Sequence, residues 1–207
     1  MTTPRDRHDH SAVMTRRVDR LEASLTRLGL LQGEDLQALT EGFLSRARPS
    51  NGQRIVAHAW TDDGFRDRLL DDATSAIEEL GYSMREGFQS HIQLRVVANS
   101  ASVHNLVVCT LCSCYPVALL GPPPRWYKSV AYRSRAVSEP RRLLDEFGVD
   151  LDENVEVRVW DSTSELRYLV LPRRPSGTEG FSSEQLAPLV SRDALVGAAL
   201  AAPPALC

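Results

Sequence analysis

The sequence predicts an α+β fold, in layers of helix and strand, on three observations. Apolar residues recur at three- and four-residue spacing between Val18 and Leu80, as on helices that bury one face. Two pairs of short apolar runs, 92–98 with 103–108 and 155–160 with 166–171, read as strands. Helical segments surround those pairs, which argues for layers packed about one core.

A chain of 207 residues has room for one substantial domain and an appendage. Its net charge of −3 gives no electrostatic reason to expect nucleic acid or an anionic membrane as partner. No apolar run approaches the roughly 18 residues that span a bilayer. Met1 to His10 hold no apolar stretch of the kind that heads a secretory signal. With four unevenly placed cysteines, a disulfide framework is not expected, and the chain reads as cytoplasmic.

In chain order, the first dozen residues are polar and read as a disordered terminus rather than a metal-binding tail, although His8 and His10 flank Asp9. A helix follows from Val13, with Val18, Leu21, Leu25 and Leu28 on one face and Gly29 at its end. A second carries Leu36, Leu39, Phe43 and Leu44 and stops at the breaker cluster Arg48-Pro49-Ser50-Asn51-Gly52. Such helices pack on their own domain more often than they form an arm around a partner chain. Ile55 to Trp60 is helical, and Asp63 to Leu80 forms one helix ending at Gly81, followed by a loop from Tyr82 to Gln89. Ile92 to Ala98 and Val103 to Val108 are strands joined by a polar turn. After them, Gly121-Pro122-Pro123-Pro124 excludes regular structure. Ser138 reads as the N-cap of a helix with Pro140 in its first turn and Gly148 at its end. Asp161 to Glu165 reads as a hairpin connection between the last two strands, and Ser182 with Gln185 has capping-box spacing.

Three of the four cysteines fall within six residues, Cys109-Thr110-Leu111-Cys112-Ser113-Cys114, where a buried strand gives way to a loop. Structural zinc wants four side-chain ligands, and here the fourth would have to be His104 or come from a second chain. Iron–sulfur ligation meets the same shortage. A dithiol redox pair leaves Cys114 without a task, and simple burial of three small residues is the remaining ordinary explanation. The alternative is a claw. One residue separates Cys112 from Cys114, so the amides of Ser113 and Cys114 lie between their sulfurs. A strongly Lewis-acidic trivalent ion can take three sulfurs and those two deprotonated nitrogens, leaving one position open for catalysis.

The segments Val-His-Asn-Leu-Val-Val-Cys-Thr-Leu-Cys-Ser-Cys-Tyr-Pro (103–116), Pro-Pro-Arg-Trp-Tyr-Lys-Ser (123–129) and Ala-Tyr-Arg-Ser-Arg (131–135) are family signatures. So are Ser-Glu-Pro-Arg (138–141), Arg-Val-Trp-Asp-Ser (158–162), Arg-Tyr-Leu-Val-Leu-Pro (167–172), Gly-Thr-Glu-Gly (177–180) and Ser-Arg-Asp-Ala (191–194). Together they resemble the α subunit of nitrile hydratase over about residues 50–197. The resemblance implies a layered α-β-β-α domain (51–207) that carries the claw. A tail and helical arm (1–50) precede it and wrap a β-type partner subunit. It further implies one low-spin Co(III) held by the sulfurs of Cys109, Cys112 and Cys114 and the amides of Ser113 and Cys114. Thr110 matches the cobalt branch; the iron branch has serine there. Cys112 and Cys114 are then expected as sulfinic and sulfenic acids, held by partner arginines. A metallochaperone is the expected source of cobalt. The implied reaction is hydration of a nitrile to the amide, with the Cys114 sulfenate or a bound water as nucleophile and the Ser113 hydroxyl orienting substrate or water.

Two departures from the family pattern bear on substrate. Val117 and Ala118 stand where tryptophan and proline are common, so Val117 is expected to widen the substrate pocket, favouring a bulky or heteroaromatic nitrile. Leu94 to Asn99, with Ala98 in place of glutamate, resembles the γ subunit of thiocyanate hydrolase, which yields carbonyl sulfide and ammonia. A zinc-binding structural module is the non-enzymatic alternative. Trp126, Tyr127 and Trp160 read as packing or interface residues, and Arg133 and Arg135 as surface ion-pair formers rather than bridges to the partner subunit. His58 and His91 read as ordinary side chains, and Cys207 as an exposed terminal thiol.

Overall fold

The structure, a computed structural model, describes residues 4–84 and 92–204. Cys207, His91 and most of the 82–89 loop lie outside that range. The chain divides into two units, Met1–Ser45 and Arg46–Cys207.

In the first unit, α1 (Pro4–Arg27) begins well before the apolar periodicity does. The polar opening is therefore helical rather than a disordered tail: proline suits a first turn, and no breaker follows it. Gly29 N bonds Thr26 O at 3.0 Å and Leu30 N bonds Leu25 O at 3.0 Å, which closes the helix where its glycine predicted. α2 (Gly33–Arg46) follows. Val18, Leu21, Leu28 and Leu39 are exposed, whereas Leu25 and Phe43 are half-buried.

α2 stops at Arg46, just before the breaker cluster as expected, and in the second unit Pro49 of that cluster occupies the first turn of α3 (Pro49–Thr61). The expected single helix from Asp63 to Leu80 is broken. α4 (Asp63–Asp71) gives way at Asp72 to α5 (Ala73–Ala76) and a 3₁₀ turn, Ile77–Leu80. The Asp72 carboxylate accepts from Ser75 N at 3.2 Å and Ser75 Oγ at 2.6 Å, so an N-cap outcompetes the helical ladder. Likewise Ser138 ends α7 (Val130–Ser138) instead of capping α8 (Pro140–Glu146), and the N-cap of α7 is Ser129, 3.1 Å from Tyr132 N. α6 (Val117–Leu120) precedes the proline run, and α9 (Ser183–Leu186) opens with the predicted box, Ser182 N donating to Gln185 Oε1 at 2.9 Å.

The four strands do not form hairpins. β1 (Gln93–Ala98) pairs in parallel with β4 (Leu166–Leu171), and β2 (Val103–Val108) in parallel with β3 (Glu156–Asp161). Each short connection moves the chain from one sheet to the other. Thr163 N to Leu166 O at 2.9 Å closes the turn that was expected to be a hairpin, while Ser162 N still bonds Val108 O at 2.7 Å on the β3 side. The apolar pattern accounts for this. β2 and β4 are buried along almost their whole length, as strands covered on both faces are, whereas β1 and β3 alternate. Helices α4 and α5 lie on β1, α7 on β2 and α8 on β3. The core runs from Ile55, Phe65 and Ile77 through Leu106, Val107, Leu169 and Val170 to Leu195.

Candidate metal centre

Val107 and Val108 are fully buried, and Cys109, 1% exposed, is the last residue the core holds. Beyond it the chain surfaces: Leu111 is 91% exposed, and Cys112 is exposed too. Cys114 turns partly back in, and the buried Tyr115 returns the chain to the core. The excursion brings Cys112 Sγ to 3.4 Å from Cys109 Sγ and 3.1 Å from Cys114 Sγ. All three sulfurs lie within 4.8 Å of one another.

Four side chains, from β3, from α7 and from the turn before α7, hold this path. Asp161, at the end of β3, accepts from Thr110 N at 3.0 Å and from Thr110 Oγ1 at 2.5 Å. Arg133 Nη1, on α7, donates to Thr110 O and Leu111 O at 3.3 and 3.1 Å. Tyr127 Oη donates to Cys114 O at 3.0 Å, and Tyr132 Oη to Val107 O at 2.6 Å. Tyr127 is wholly buried with its ring edge-on to Tyr115, the centroids 4.9 Å apart, so its hydroxyl has a fixed aim.

Three thiols this close cannot all ionise without a cation. The hydrogen bond from Cys114, helped by those from Cys109 and the Ser113 and Cys114 amides, brings the Cys112 thiol down to about 7. Burial, with the neighbouring Cys112 adding to it, pushes Cys114 up to about 12. Arg167, 8% exposed on β4, acts the other way on Cys114 by favouring its thiolate.

Among the described residues no histidine or carboxylate joins the three sulfurs. His104, the zinc ligand considered from sequence, is committed elsewhere: its Nε2 is 2.8 Å from Gly197 O and its Nδ1 3.2 Å from Asn99 Nδ2. The three-sulfur donor set suits a soft transition ion rather than magnesium or calcium. Two buried guanidinium nitrogens flanking the claw, Arg133 Nε and Arg167 Nε, have no hydrogen-bond acceptor. An anionic thiolate–metal centre is what such donors match.

Sequence reasoning thus located the three thiols and passed over what holds them. Tyr127 does more than pack, and Arg133 binds the claw loop rather than a surface acid. Arg135, by contrast, pairs with Glu139 and Glu146 as expected. Trp160 Nε1 donates to Asn105 Oδ1 at 2.8 Å, and His58 stacks edge-on against Phe65. Ala98 sits at the far end of β1, its carbonyl bonded by Asn105 Nδ2, away from the claw. Val117, three residues past Cys114, is half-buried against the core at the start of α6. A cleft of about 730 Å³ lined by Gln53, Arg54, His58, Tyr82 and Glu184 lies on the α3–α9 face and contains no claw residue.

Fold and site together define a three-thiolate metal claw built on an α+β scaffold. A family model described as nitrile hydratase, alpha chain, matches residues 12–199. The α subunit of the low-molecular-weight cobalt-containing nitrile hydratase of Rhodococcus rhodochrous is 47% identical, over 98% of this chain and 94% of that one. The γ subunit of thiocyanate hydrolase from Thiobacillus thioparus is 40% identical, over 84% of this chain and 74% of that one. Among solved structures, a double mutant of the Fe-type nitrile hydratase from Comamonas testosteroni Ni1 matches with a TM-score of 0.85 at 39% identity, covering 95% of each chain. The chain belongs to the nitrile hydratase α-chain family.

Proposed function

We propose that this chain is the metal-binding α subunit of a cobalt nitrile hydratase, converting R–C≡N and water to R–CO–NH₂ in complex with a β-type subunit. One observation carries the reading: three sulfurs converge at the surface, with no histidine or carboxylate joining them among the described residues, beside the buried Nε atoms of Arg133 and Arg167, which have no acceptor. The sulfurs of Cys109, Cys112 and Cys114 and the amides of Ser113 and Cys114 hold the ion. Cys112 and Cys114 carry the sulfinic and sulfenic oxygens. Lewis acidity is what a trivalent cobalt supplies at such a site, polarising the nitrile or activating water. The chain's own groups do the rest. Tyr127 fixes the Cys114 carbonyl, Arg167 supports negative charge on the Cys114 sulfur, and the Ser113 hydroxyl orients the incoming molecule.

Residues 1–50 serve as the arm and 51–207 as the catalytic domain, stacked α-β-β-α. The exposed stripe of Val18, Leu21, Leu28 and Leu39 supports a partner for the arm. The outward-facing claw likewise supports completion by a β-type chain whose arginines meet the sulfur oxygens. Val117 leaves space for a bulky or heteroaromatic nitrile. Cobalt arrives through a metallochaperone, in the cytoplasm. No helix among the described residues is long and apolar enough to cross a membrane.

The test is metal analysis with intact mass on the co-expressed complex, then a panel of nitriles and thiocyanate. Cobalt, with added oxygens on the peptide holding Cys112 and Cys114 and amide formed from nitriles, is the expected result. Carbonyl sulfide from thiocyanate, with no amide from any nitrile, assigns the chain to the thiocyanate branch instead. Zinc with three unoxidised thiols makes it a structural module.

A further inference from the structure

Asp161 ends β3, and the strand register sets it beside Val108, the last residue of β2. Its carboxylate is therefore carried to the point where the chain leaves the sheet to become the claw. There both oxygens accept from one residue, Oδ1 from Thr110 N at 3.0 Å and Oδ2 from Thr110 Oγ1 at 2.5 Å. From the α7 side, Arg133 Nη1 holds the carbonyls of Thr110 and Leu111 at 3.3 and 3.1 Å. Thr110 and Leu111 are the only link between Cys109, fixed in the core, and Cys112, exposed to solvent. A surface segment is thus tied by an amide, a hydroxyl and two carbonyls. Threonine suits the task because its branched Cβ restricts χ1 and keeps the hydroxyl aimed.

We infer that Asp161 is a positioning residue, acting through Thr110 with Arg133 opposite, that brings Cys112 towards Cys109 before any ion arrives. Free in solution, a two-residue link lets the Cys112 sulfur range widely; braced against a strand end, it is held where three sulfurs share one centre. Hydrogen bonds that orient ligands from outside are worth about ten- to hundredfold in metal affinity. The inference deepens the cobalt reading but concerns the metal-free chain, so the two can fail separately.

The test uses the full chain, reduced and metal-free, with arsenite as probe. As(OH)₃ takes three thiols to give As(SR)₃ and three waters, without any redox change. Asp161→Ala is expected to weaken arsenite binding about tenfold or more. Thr110→Val, which keeps the amide bond and loses the hydroxyl bond, and Asp161→Asn, which loses the charge and can only reverse the hydroxyl bond, should fall between it and the wild type, and Thr110→Ser should stay near the wild type. In the co-expressed complex, the same order is expected in cobalt per chain and in the position of the sulfur-to-cobalt absorption band per bound cobalt, and a smaller folded fraction alone would leave that position unchanged. Thr110→Val leaves the β2–β3 ladder intact and so decides the matter if Asp161→Ala unfolds. Arsenite affinity equal to wild type in Thr110→Val and Asp161→Asn overturns the inference. A wild-type chain that binds arsenite in this brace-dependent way but takes up no cobalt leaves the inference standing and removes the cobalt reading.

Discussion

Replacing His104 with glutamine should flatten the acid side of this protein's stability profile. His104 is 2% exposed at the start of β2, between Asn99 and Gly197. Asn99 Oδ1 already accepts from Asn105 N at 2.8 Å and Asn105 Nδ2 at 2.9 Å, so its amide nitrogen must face the ring. His104 Nδ1 is then an acceptor, and Nε2 carries the proton donated to Gly197 O. A second proton on Nδ1 would set two donors 3.2 Å apart. Burial lowers the imidazole below its ordinary 6.5, only partly offset by the bond to Gly197. As pH falls through 6.5 the unfolded chain therefore binds a proton that the folded chain refuses. The stabilisation is complete above that value and declines below it, by at most about 1.4 kcal/mol per pH unit. For a chain of this size that is about 3–6 °C in Tm per unit. The assay is thermal unfolding of the metal-free chain from about pH 7 to about pH 5, for wild type and His104→Gln. The glutamine amide still reaches towards Gly197 O but does not titrate. Other carboxylates contribute equally to both proteins, so only the difference in slope counts. Parallel slopes would show that His104 is not held neutral and would refute the tautomer deduced from the Asn99 network.

Two further expectations follow from the same geometry and from the substrate reading. Gly197→Ala should cost about 3 kcal/mol or more, since a Cβ there meets Asn105 O at 1.8 Å in a left-handed backbone. Gly177→Ala shares the positive φ but has nothing within 4 Å, so equal losses of Tm in the two variants would rule out the clash. If Val117 lines the nitrile pocket, Val117→Trp should lower kcat/KM for heteroaromatic nitriles about tenfold relative to small aliphatic ones. An unchanged ratio places Val117 outside the pocket.

What sequence could and could not say divides along local and non-local physics. The helix ends at Gly29, Gly81 and Gly148 and the Ser182–Gln185 box are decided within a few residues, and they are where the sequence places them. The break at Asp72 was equally local: Asp-Ala-Thr-Ser is a capping sequence, overridden on paper by the apolar stripe that continues through Ala73 and Ile77. Strand pairing is another matter. Leu106-Val107-Val108 and Leu169-Val170-Leu171 are unbroken apolar runs, which signal strands covered on both faces and joined in parallel rather than as hairpins. At the claw, the sulfur spacing was written in six residues. Asp161, Tyr127, Arg133 and Arg167 come from separate elements, and only the fold brings them there.

The crossed pairing also orders events in time. Val103 waits for Glu156, and Gln93 for Leu166, so neither ladder closes until most of the chain has been made. Joining such distant segments is slow relative to helix formation, because the long intervening loop must first give up its freedom. Cys109, Cys112 and Cys114 therefore leave the ribosome as loose thiols, with the strand that steers them still unsynthesised. Chains ending before residue 156 lack both pairing partners, and on them the three sulfurs have no sheet to gather them. Metal capture is thus tied to a late step of folding, and a nascent chain stalled upstream presents its cysteines to whatever oxidant or ion it meets first.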